Sequence, residues 1–140
     1  METSPRYALV TGGGSGIGRA SALALAHAGW HVAICGRREA PLLETAALSP
    51  SPMPTRSADL TRPSDVEALF SWLDSVFPRL DLLFNNAGMG ARAVPLDELS
   101  YDEWANVVAI NLSAPFLCAQ QAMRRFKRQS PLGGRIINNG

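Results

Sequence analysis

The sequence TGGGSGIG, residues 11–18, stands between an apolar run (YALV, residues 7–10) and an alanine-rich segment with helical spacing. In such a position Gly12 permits a tight exit from a strand, Gly16 lets the backbone approach a phosphate, and Gly18 lets the helix pack close to the sheet. The start of the helix offers N–H groups and a partial positive charge to a diphosphate. This stretch therefore predicts a phosphate-binding turn between the first strand and the first helix.

The rest of the sequence keeps alternating between apolar strand-like runs and amphipathic helical segments. Such a series, with near-continuous apolar strands, is typical of a parallel sheet that is covered on both faces. We therefore predict an α/β fold with a doubly wound parallel sheet, the Rossmann fold, truncated after its fifth strand and forming a single domain over residues 1–140. The predicted strands are residues 7–10, 31–35, 55–58, 80–84 and 135–138, and the predicted helices are residues 15–28, 38–48, 64–77 and 100–128.

Two segments have the Ser-x-x-Glu spacing of a capping box, Ser64–Glu67 and Ser100–Glu103. In a capping box the serine side chain accepts a hydrogen bond from the backbone N–H three residues later, and the glutamate accepts one from the serine N–H. We predict that the third and fourth helices begin at these boxes.

The composition is that of an ordinary globular domain, since 46% of the 140 residues are apolar, 18% are charged and the net charge is +1. This balance gives no general attraction to nucleic acid or anionic lipid. The first residues lack the pattern of a signal peptide, and no apolar run approaches the ~20 residues of a membrane-spanning helix. Cys35 and Cys118 are predicted to be buried free thiols of a reducing compartment. We expect a soluble, cytoplasmic protein that uses no metal and has no nucleic-acid or membrane partner.

Two other nucleotide-binding families use glycine-rich turns. A P-loop needs Gly-x-x-x-x-Gly-Lys-Ser/Thr; Gly13 and Gly18 have this spacing, but Arg19–Ala20 replace the lysine and the hydroxyl. ATP or GTP hydrolysis is therefore not expected. An S-adenosylmethionine-dependent methyltransferase usually has a carboxylate at the end of its second strand, whereas this strand runs into Gly36–Arg38. A methyltransferase is a distant third alternative.

The residues after the second predicted strand bear on the choice of dinucleotide. A site for NAD has an Asp or Glu about 20 residues past the glycines, which accepts hydrogen bonds from the ribose 2′-hydroxyl. Gly36 occupies this region and is followed by Arg37 and Arg38, whose guanidiniums can hold a 2′-phosphate. Alternatively, both arginines are only the solvated start of a helix, where cations oppose the helix dipole. The sequence favours NADP over NAD.

Polar residues also follow the third and fourth predicted strands. Asp59 could accept a hydrogen bond from an adenine amino group, or it could be a turn or N-cap residue. Asn85 and Asn86 could tie neighbouring loops together beside the crevice, or they could be turn formers.

Asn111 lies inside the last predicted helix, where asparagine is unfavourable, and Pro115 follows four residues later. Because proline has no N–H, the helical hydrogen bond to the carbonyl of Asn111 cannot form. We predict that the helix kinks there and leaves this carbonyl free for water. The alternative is a kink that only improves packing.

With these residues in order, the sequence resembles the short-chain dehydrogenase/reductase family over essentially its whole length. Residues 11–18 resemble the family's cofactor loop, and Asp59–Leu60 its acidic contact to adenine. Residues 85–88 (NNAG) resemble its sheet-stabilising turn, and Asn111 its catalytic asparagine, whose main-chain carbonyl holds a water of the proton relay. The resemblance implies an NADP(H)-dependent oxidoreductase that exchanges a hydride with a carbonyl or alcohol. Together with the arginine argument, it implies that the cofactor-binding residues are Gly12, Ser15, Gly16, Ile17, Gly18, Arg37, Arg38, Asp59, Leu60, Asn86, Ala87 and Gly88.

The family's other catalytic residues have no counterpart in these 140 residues. Members use a serine and a Tyr-x-x-x-Lys pair, but the tyrosines here are Tyr7 and Tyr101 and the lysine is Lys127. The resemblance places the serine just beyond Gly140. We therefore expect the chain to be the N-terminal part of such an enzyme, inactive alone, with homo-oligomers formed only by the complete enzyme. The alternative is a non-catalytic dinucleotide-binding module that acts as a sensor or partner protein.

Overall fold

The computed structural model describes residues 3–140. The described chain alternates strands and helices from its first element to its last. The strands are β1 (Tyr7–Thr11), β2 (His31–Gly36), β3 (Thr55–Ser57), β4 (Leu82–Asn85) and β5 (Arg135–Asn138). The helices are α1 (Gly16–His27), α2 (Glu39–Ala47), α3 (Pro63–Val76), α4 (Tyr101–Val108) and α5 (Ala114–Phe126), with a 3₁₀ turn at Leu96–Glu98 and a π-helical turn at Ala109–Ser113.

All five strands form one parallel sheet in the order β3-β2-β1-β4-β5. The chain first builds outward from β1 to β3 and then crosses to the other side, so the order switches between β1 and β4. At such a switch the loops that leave neighbouring strands diverge, and a ligand crevice opens at the carboxyl ends of the strands. The predicted doubly wound parallel sheet is confirmed.

Apolar side chains of the strands are buried on both faces of the sheet. On one face Leu9 and Leu83 pack with α3 and α5 through residues such as Phe70 and Cys118. On the other face Val10, Ile34 and Leu82 pack with α1 and α2. Burial on both faces explains why the strands are almost continuously apolar.

One of the two predicted capping boxes is wrong. α3 begins at Pro63, its N-cap is Arg62, and no side chain caps it, so Ser64 lies inside the helix. Proline suits this position because its missing N–H would have no partner in a first turn. The box at α4 is confirmed, since the Glu103 N–H donates to Ser100 Oγ at 3.2 Å and the Ser100 N–H donates to Glu103 Oε2 at 3.2 Å.

The helix predicted over residues 100–128 is divided into two α-helices by a π-helical turn, whereas only a kink was expected. α4 ends at Val108, and in the following π-helical turn the Ala114 N–H donates to the carbonyl of Ala109, five residues back. Pro115 lies in the first turn of α5, so the wider turn falls where proline removes a helical donor. None of the helices in residues 3–140 is long and apolar enough to cross a membrane.

Strand β4 begins at Leu82, two residues later than predicted. The backbone of Leu80 is bound instead by one side chain, because its N–H donates to Gln129 Oε1 at 3.1 Å and its carbonyl accepts from Gln129 Nε2 at 2.7 Å. These bonds take the place of strand hydrogen bonds at Leu80, and no local sequence pattern predicts a contact between residues 49 positions apart.

Candidate functional site

The glycine turn has the backbone conformation that its sequence predicts. Gly12 and Gly16 have positive φ values of 65° and 51°, a region that other residues rarely adopt. A Cβ on Gly18 would lie 2.0 Å from the carbonyl oxygen of Gly12, so a larger residue would force α1 away from the strand. Beside Gly16 nothing lies within 4 Å of an added Cβ. The turn is therefore packed tightly against the protein at Gly18 and exposed at Gly16.

The start of α1 faces the same turn. Ser15 is the N-cap residue, and its side chain makes no capping hydrogen bond. Ser15, Gly16 and Ile17 are exposed. Neither an acidic residue nor the side chain of the N-cap neutralises the positive end of the helix dipole. The start of α1 can therefore bind an anion through its free N–H groups.

Two adjoining depressions lie beside the turn and share Gly12, Gly36 and Arg37. The first, of about 140 Å³, is lined by Gly12, Gly14, Ser15, Gly36, Arg37, Arg38, Pro41 and Leu42. The second, of about 150 Å³, is lined by Gly12, Gly36, Arg37, Ala58, Leu60, Ala87, Gly88, Met89 and Ile110. The structure therefore brings seven predicted site residues to one groove, namely Gly12, Ser15, Arg37, Arg38, Leu60, Ala87 and Gly88. Gly16, Ile17, Gly18, Asp59, Asn86 and Asn111 line neither depression.

Arg37 and Arg38 follow β2 and are exposed. Arg38 is the N-cap of α2 and makes no capping hydrogen bond through its side chain. The backbone of Arg37 is held by Ser57, whose hydroxyl donates to the Arg37 carbonyl at 2.7 Å. Within residues 3–140 neither guanidinium takes part in an ion pair. The groove thus has two cationic side chains that are not committed to a carboxylate.

Asp59 forms a turn through its own side chain. Its Oδ1 accepts hydrogen bonds from the Thr61 hydroxyl at 2.6 Å and the Thr61 N–H at 3.0 Å. The hydroxyl bond is the main reason why the pKa of Asp59 is lowered, and the charges of Arg37 and Arg62 lower it further. The structure therefore shows the turn role for Asp59, with the carboxylate ionised and within the field of Arg37.

Thr11, at the end of β1, connects the two central strands through its buried hydroxyl. The N–H groups of Asn86 and Ala87 both donate to Thr11 Oγ1 at 3.0 Å, and the hydroxyl donates to the carbonyl of Phe84 at 3.3 Å. The side chain of Asn86 donates back to the carbonyl of Thr11 at 3.2 Å. These bonds fix the loop after β4 against the glycine turn, so Asn86 and Thr11 position the crevice rather than line it.

The asparagines at the ends of β4 and β5 are also paired. Asn85 Nδ2 donates to Asn138 Oδ1 at 3.0 Å, and Asn139 Nδ2 donates to Asn86 Oδ1 at 3.0 Å. The carboxyl ends of both strands are therefore joined by side chains as well as by the ladder.

Asn111 lies in the π-helical turn and its side chain is bound to the loop after β4. Its Nδ2 donates to the carbonyls of Met89 at 2.6 Å and Val107 at 3.0 Å, and its Oδ1 accepts from the Met89 N–H at 3.2 Å. A Cβ on Gly88 would lie 2.6 Å from this Oδ1. The amide is committed to the backbone, so any contact to water or substrate would have to use the main chain of Asn111.

The cysteines are buried inside the sheet layers and make no disulfide. Burial raises the pKa of the Cys118 thiol to about 12 and raises that of Cys35 as well. Neither thiol is a nucleophile at neutral pH. Within residues 3–140 no group of three His, Cys, Asp or Glu side chains is placed to hold a metal ion.

Sequence reasoning missed three residues that shape the site, Thr11, Arg19 and Thr45. Arg19, in α1, donates to the carbonyl of Gly14, and Thr45, in α2, donates to that of Gly13. The position of Thr11 at the end of an apolar strand, directly before glycines, is the one local signal among them.

Comparison with known proteins agrees with this geometry. The family model for short chain dehydrogenases matches residues 6–140. A short chain dehydrogenase/reductase, dpfgG, from Gibberella zeae is 35% identical over 137 residues, which are 96% of this chain and 51% of that protein. The chain thus spans about half the length of this curated relative.

Two solved structures superpose closely on the chain. The 3-ketoacyl-(acyl-carrier-protein) reductase from Brucella melitensis, complexed with NADH, has a TM-score of 0.90 at 28% identity and covers 95% of this chain, which spans 55% of that structure. RhlG from Pseudomonas aeruginosa, in an active-site complex with NADP, has a TM-score of 0.86 at 33% identity and covers 95% of this chain, which spans 53% of that structure. The family match, the relative and the shared fold lead to one conclusion: the chain belongs to the short-chain dehydrogenase/reductase family.

Proposed function

We propose that the protein is an NADP(H)-dependent oxidoreductase that transfers a hydride between the nicotinamide and a carbonyl or alcohol substrate, and that residues 1–140 are its cofactor-binding part. The observation that carries the proposal is that Gly12, Gly36 and Arg37 line the same groove, since all three border both adjoining depressions. A phosphate-binding turn and an uncommitted guanidinium at the end of the adjacent strand are what a phosphorylated dinucleotide requires.

The residues present fit a dinucleotide. The positive φ of Gly12 and Gly16 and the open space beside Gly16 allow a phosphate to approach the backbone. The N-terminus of α1 would neutralise part of the diphosphate charge. Leu60, Ala87 and Gly88 would border the adenosine and ribose, and Asp59 and Asn86 would position the loops that carry them. When bound, the cofactor would supply the hydride.

The preference for NADP over NAD is part of the proposal. Relatives of this fold have been solved with NADH and with NADP, so the preference depends on the residues of this chain. The position at the end of β2, where a carboxylate would bind a ribose 2′-hydroxyl, is occupied by Gly36; Arg37 and Arg38 follow directly and carry charge that a 2′-phosphate would offset. NADPH is therefore expected to bind more tightly than NADH.

Asn111 would contribute to the reaction through its main chain. Its side-chain amide is held by Met89 and Val107, and the π-helical turn and Pro115 remove the regular helical bond to its carbonyl. We assign this carbonyl the role of holding a water in the proton relay that serves the substrate oxygen.

The partners that we propose are small carbonyl or alcohol substrates and, for the complete enzyme, a second copy of the chain. The apolar side chains of Trp104 and Phe116 are 55% and 63% exposed, which supports a covered helix face in the assembled protein. Free, buried Cys35 and Cys118 support a cytoplasmic location.

The 140 residues alone should bind the cofactor without turnover. Neither Tyr7 nor Tyr101 is followed by a lysine four residues later, and the absence of a general acid alone lowers rates by roughly 10²–10⁴-fold. The groove described above would also serve the second candidate, a non-catalytic module that binds the dinucleotide as a sensor or partner protein.

The test is a fluorescence titration of the purified chain with NADPH, NADH and S-adenosylmethionine. Saturable binding of NADPH that is tighter than that of NADH supports the proposal, whereas binding of S-adenosylmethionine alone would indicate a methyltransferase. The reading frame after codon 140 separates the two dinucleotide candidates. A continuation that encodes a serine and then Tyr-x-x-x-Lys supports the oxidoreductase, and a stop codon supports the binding module.

A further inference from the structure

Arg19, in α1, binds the glycine turn although it lines neither depression. Its Nη2 donates to the carbonyl of Gly14 at 2.7 Å and to that of Pro41 at 3.1 Å. Its Nε donates to Thr45 Oγ1 at 2.8 Å. One guanidinium therefore joins α1, the turn and the first turn of α2.

Thr45 completes this contact from inside α2. Its hydroxyl is fully buried and donates to the carbonyl of Gly13 at 2.8 Å while it accepts from Arg19. The hydroxyl has one proton, for which the carbonyl of Pro41 at 3.2 Å is a second and more distant acceptor, and one of its two lone pairs accepts from Arg19. The carbonyls of two successive residues of the turn, Gly13 and Gly14, are thus bound by one connected pair of side chains.

Fixing these carbonyls also fixes the donors of the turn. In a planar trans peptide the N–H points opposite to the carbonyl of the preceding residue. The bonded carbonyls of Gly13 and Gly14 therefore set the directions of the N–H groups of Gly14 and Ser15, two residues that line the first depression. Both N–H groups are turned away from Arg19 and Thr45.

The turn is also held by steric contacts on the same side. A Cβ on Gly13 would lie 2.6 Å from the Ile34 side chain, and one on Gly14 would lie 2.9 Å from Pro41 Cβ. The turn has little room to rotate between β2 and α2.

We propose that Arg19 and Thr45 are positioning residues that preset the backbone donors of the glycine turn for the diphosphate of the cofactor. The inference rests on the proposed dinucleotide site but concerns residues that line neither depression. Arg19 is the positive charge nearest to the turn carbonyls, and it would raise the affinity for a diphosphate through the backbone that it holds.

The experiment measures dissociation constants of NADPH, NADH and adenosine 2′-monophosphate with the full 140-residue chain. Adenosine 2′-monophosphate carries the adenine and the 2′-phosphate but no diphosphate. The variants are Thr45→Val, which keeps the shape and removes the hydroxyl, and Arg19→Met, which keeps the length and removes the donors. Thr45→Ser is the conservative variant. Glu44→Gln is the matched control, because it removes only the exposed ion pair between Arg19 and Glu44.

We expect Thr45→Val and Arg19→Met to weaken NADPH and NADH by the same factor, about tenfold, as for the loss of a buried hydrogen bond. Adenosine 2′-monophosphate should change by less than about twofold, which a general loss of structure would not allow. Thr45→Ser should restore wild-type affinity, and Glu44→Gln should leave it unchanged, since exposed ion pairs contribute little.

Failure of this inference is distinct from failure of the proposed function. Wild-type protein that binds no dinucleotide overturns both. Wild-type protein that binds NADPH, together with Thr45→Val and Arg19→Met variants that bind it equally well, overturns the positioning role alone. An equal loss for adenosine 2′-monophosphate, or variants that fail to fold by circular dichroism, would show a purely structural role and also overturn it.

Discussion

Arg37 lines both depressions of the groove and, within the described chain, pairs with no carboxylate. A 2′-phosphate placed there would accept hydrogen bonds from the guanidinium and also offset its charge, whereas a neutral 2′-hydroxyl has no charge to pair with it. We predict that Arg37→Ala, alone or with Arg38→Ala, weakens NADPH about tenfold or more and NADH less than about twofold. The measurement is a pair of titrations monitored by the fluorescence of the reduced coenzymes.

The control for this prediction is Arg124→Ala, because Arg124 is an exposed arginine of α5 that lines neither depression. It should leave both affinities unchanged. Equal losses for NADPH and NADH in Arg37→Ala would contradict the 2′-phosphate role.

Gly18 is the most tightly enclosed glycine of the turn, since an added Cβ would lie 2.0 Å from the Gly12 carbonyl oxygen and 2.5 Å from Asn86 Nδ2. We predict that Gly18→Ala lowers the free energy of unfolding by about 2 kcal/mol or more, as overpacking does. Urea unfolding followed by circular dichroism would measure this. Gly90→Ala is the control, because nothing lies within 4 Å of its added Cβ, and a loss of similar size there would refute the steric explanation.

Single residues of the site were predictable only where a suitable residue type stands directly after a predicted strand. The glycines and Arg37 stand directly after strands, and the alternation of strands and helices predicts that these positions share one edge of the sheet. Thr45 lies in the interior of α2, and its contact with Gly13 spans 32 residues of chain. No local pattern marks such a contact, so its discovery needed the packed structure.

At the start of α4, an arginine and the capping serine together lower the pKa of Glu103. A hydrogen bond from Arg92 is the main reason that the pKa of Glu103 falls to about 2, and the capping bonds with Ser100 lower it further. Because the pKa in the folded state is depressed, the stabilising contribution is complete above the pKa in the unfolded state and is lost as pH falls through the folded value. The contribution is therefore constant at neutral pH and disappears between about pH 5 and pH 2.

We predict that Arg92→Ala raises the pKa of Glu103 toward its ordinary value while α4 stays formed, because the capping bonds do not involve Arg92. An NMR titration of the Glu103 carboxyl carbon would report the midpoint in both proteins. Arg62→Ala, which removes an arginine far from this box in the sequence, should leave the midpoint in place. An unchanged midpoint in Arg92→Ala would contradict the assigned cause.

The helices and strands were predicted well where the hydrophobic period is clear and less well where one residue determines a boundary. The third helix, α3, begins at Pro63, before the capping box predicted at Ser64–Glu67, because proline is a favourable first residue of a helix. Pro115 was expected to kink one long helix, and the chain instead forms a π-helical turn at Ala109–Ser113. Missing donors are visible in the sequence, but the way in which neighbouring carbonyls are re-satisfied is not.

Ligand binding should be visible in the stability of the domain as a unit. A ligand that binds only the folded state stabilises it by about 2.7 kcal/mol at 100 times its dissociation constant. We predict that NADPH at this excess raises Tm by roughly 10 °C in a domain of this size. Differential scanning fluorimetry with and without NADPH measures the shift.

The double variant Arg37→Ala with Arg38→Ala serves as the control, because a loss of affinity of about tenfold should remove about half of the NADPH shift, and the Tm of the free protein should not change. S-adenosylmethionine should produce no shift. A melting curve that is the same with and without either nicotinamide coenzyme would count against the whole proposed site.

The order of strands in the sheet was less accessible to sequence than the strands themselves. The alternation of elements implies parallel strands with crossover helices, which is general to this class of fold. That β1 lies in the centre, between β2 and β4, follows from contacts such as Thr11 with Asn86 and Ala87, which are 75 and 76 residues apart. Those contacts also explain why the glycine turn lies next to the loop after β4.

The bridge that Arg19 makes between Gly14 and Pro41 has a consequence for how a two-phosphate ligand is captured. Arg19 fixes the distance between two parts of the site. One is the glycine turn, which would bind the diphosphate, and the other is the start of α2, which lies next to Arg37 and Arg38. A dinucleotide would meet two docking points already set apart for it, so its second contact would form as an intramolecular step at high effective concentration. Inorganic diphosphate and adenosine 2′-monophosphate added as separate molecules would lack this chelate effect. Their affinities for the protein would therefore be far lower than that of the dinucleotide, in which both groups are covalently linked.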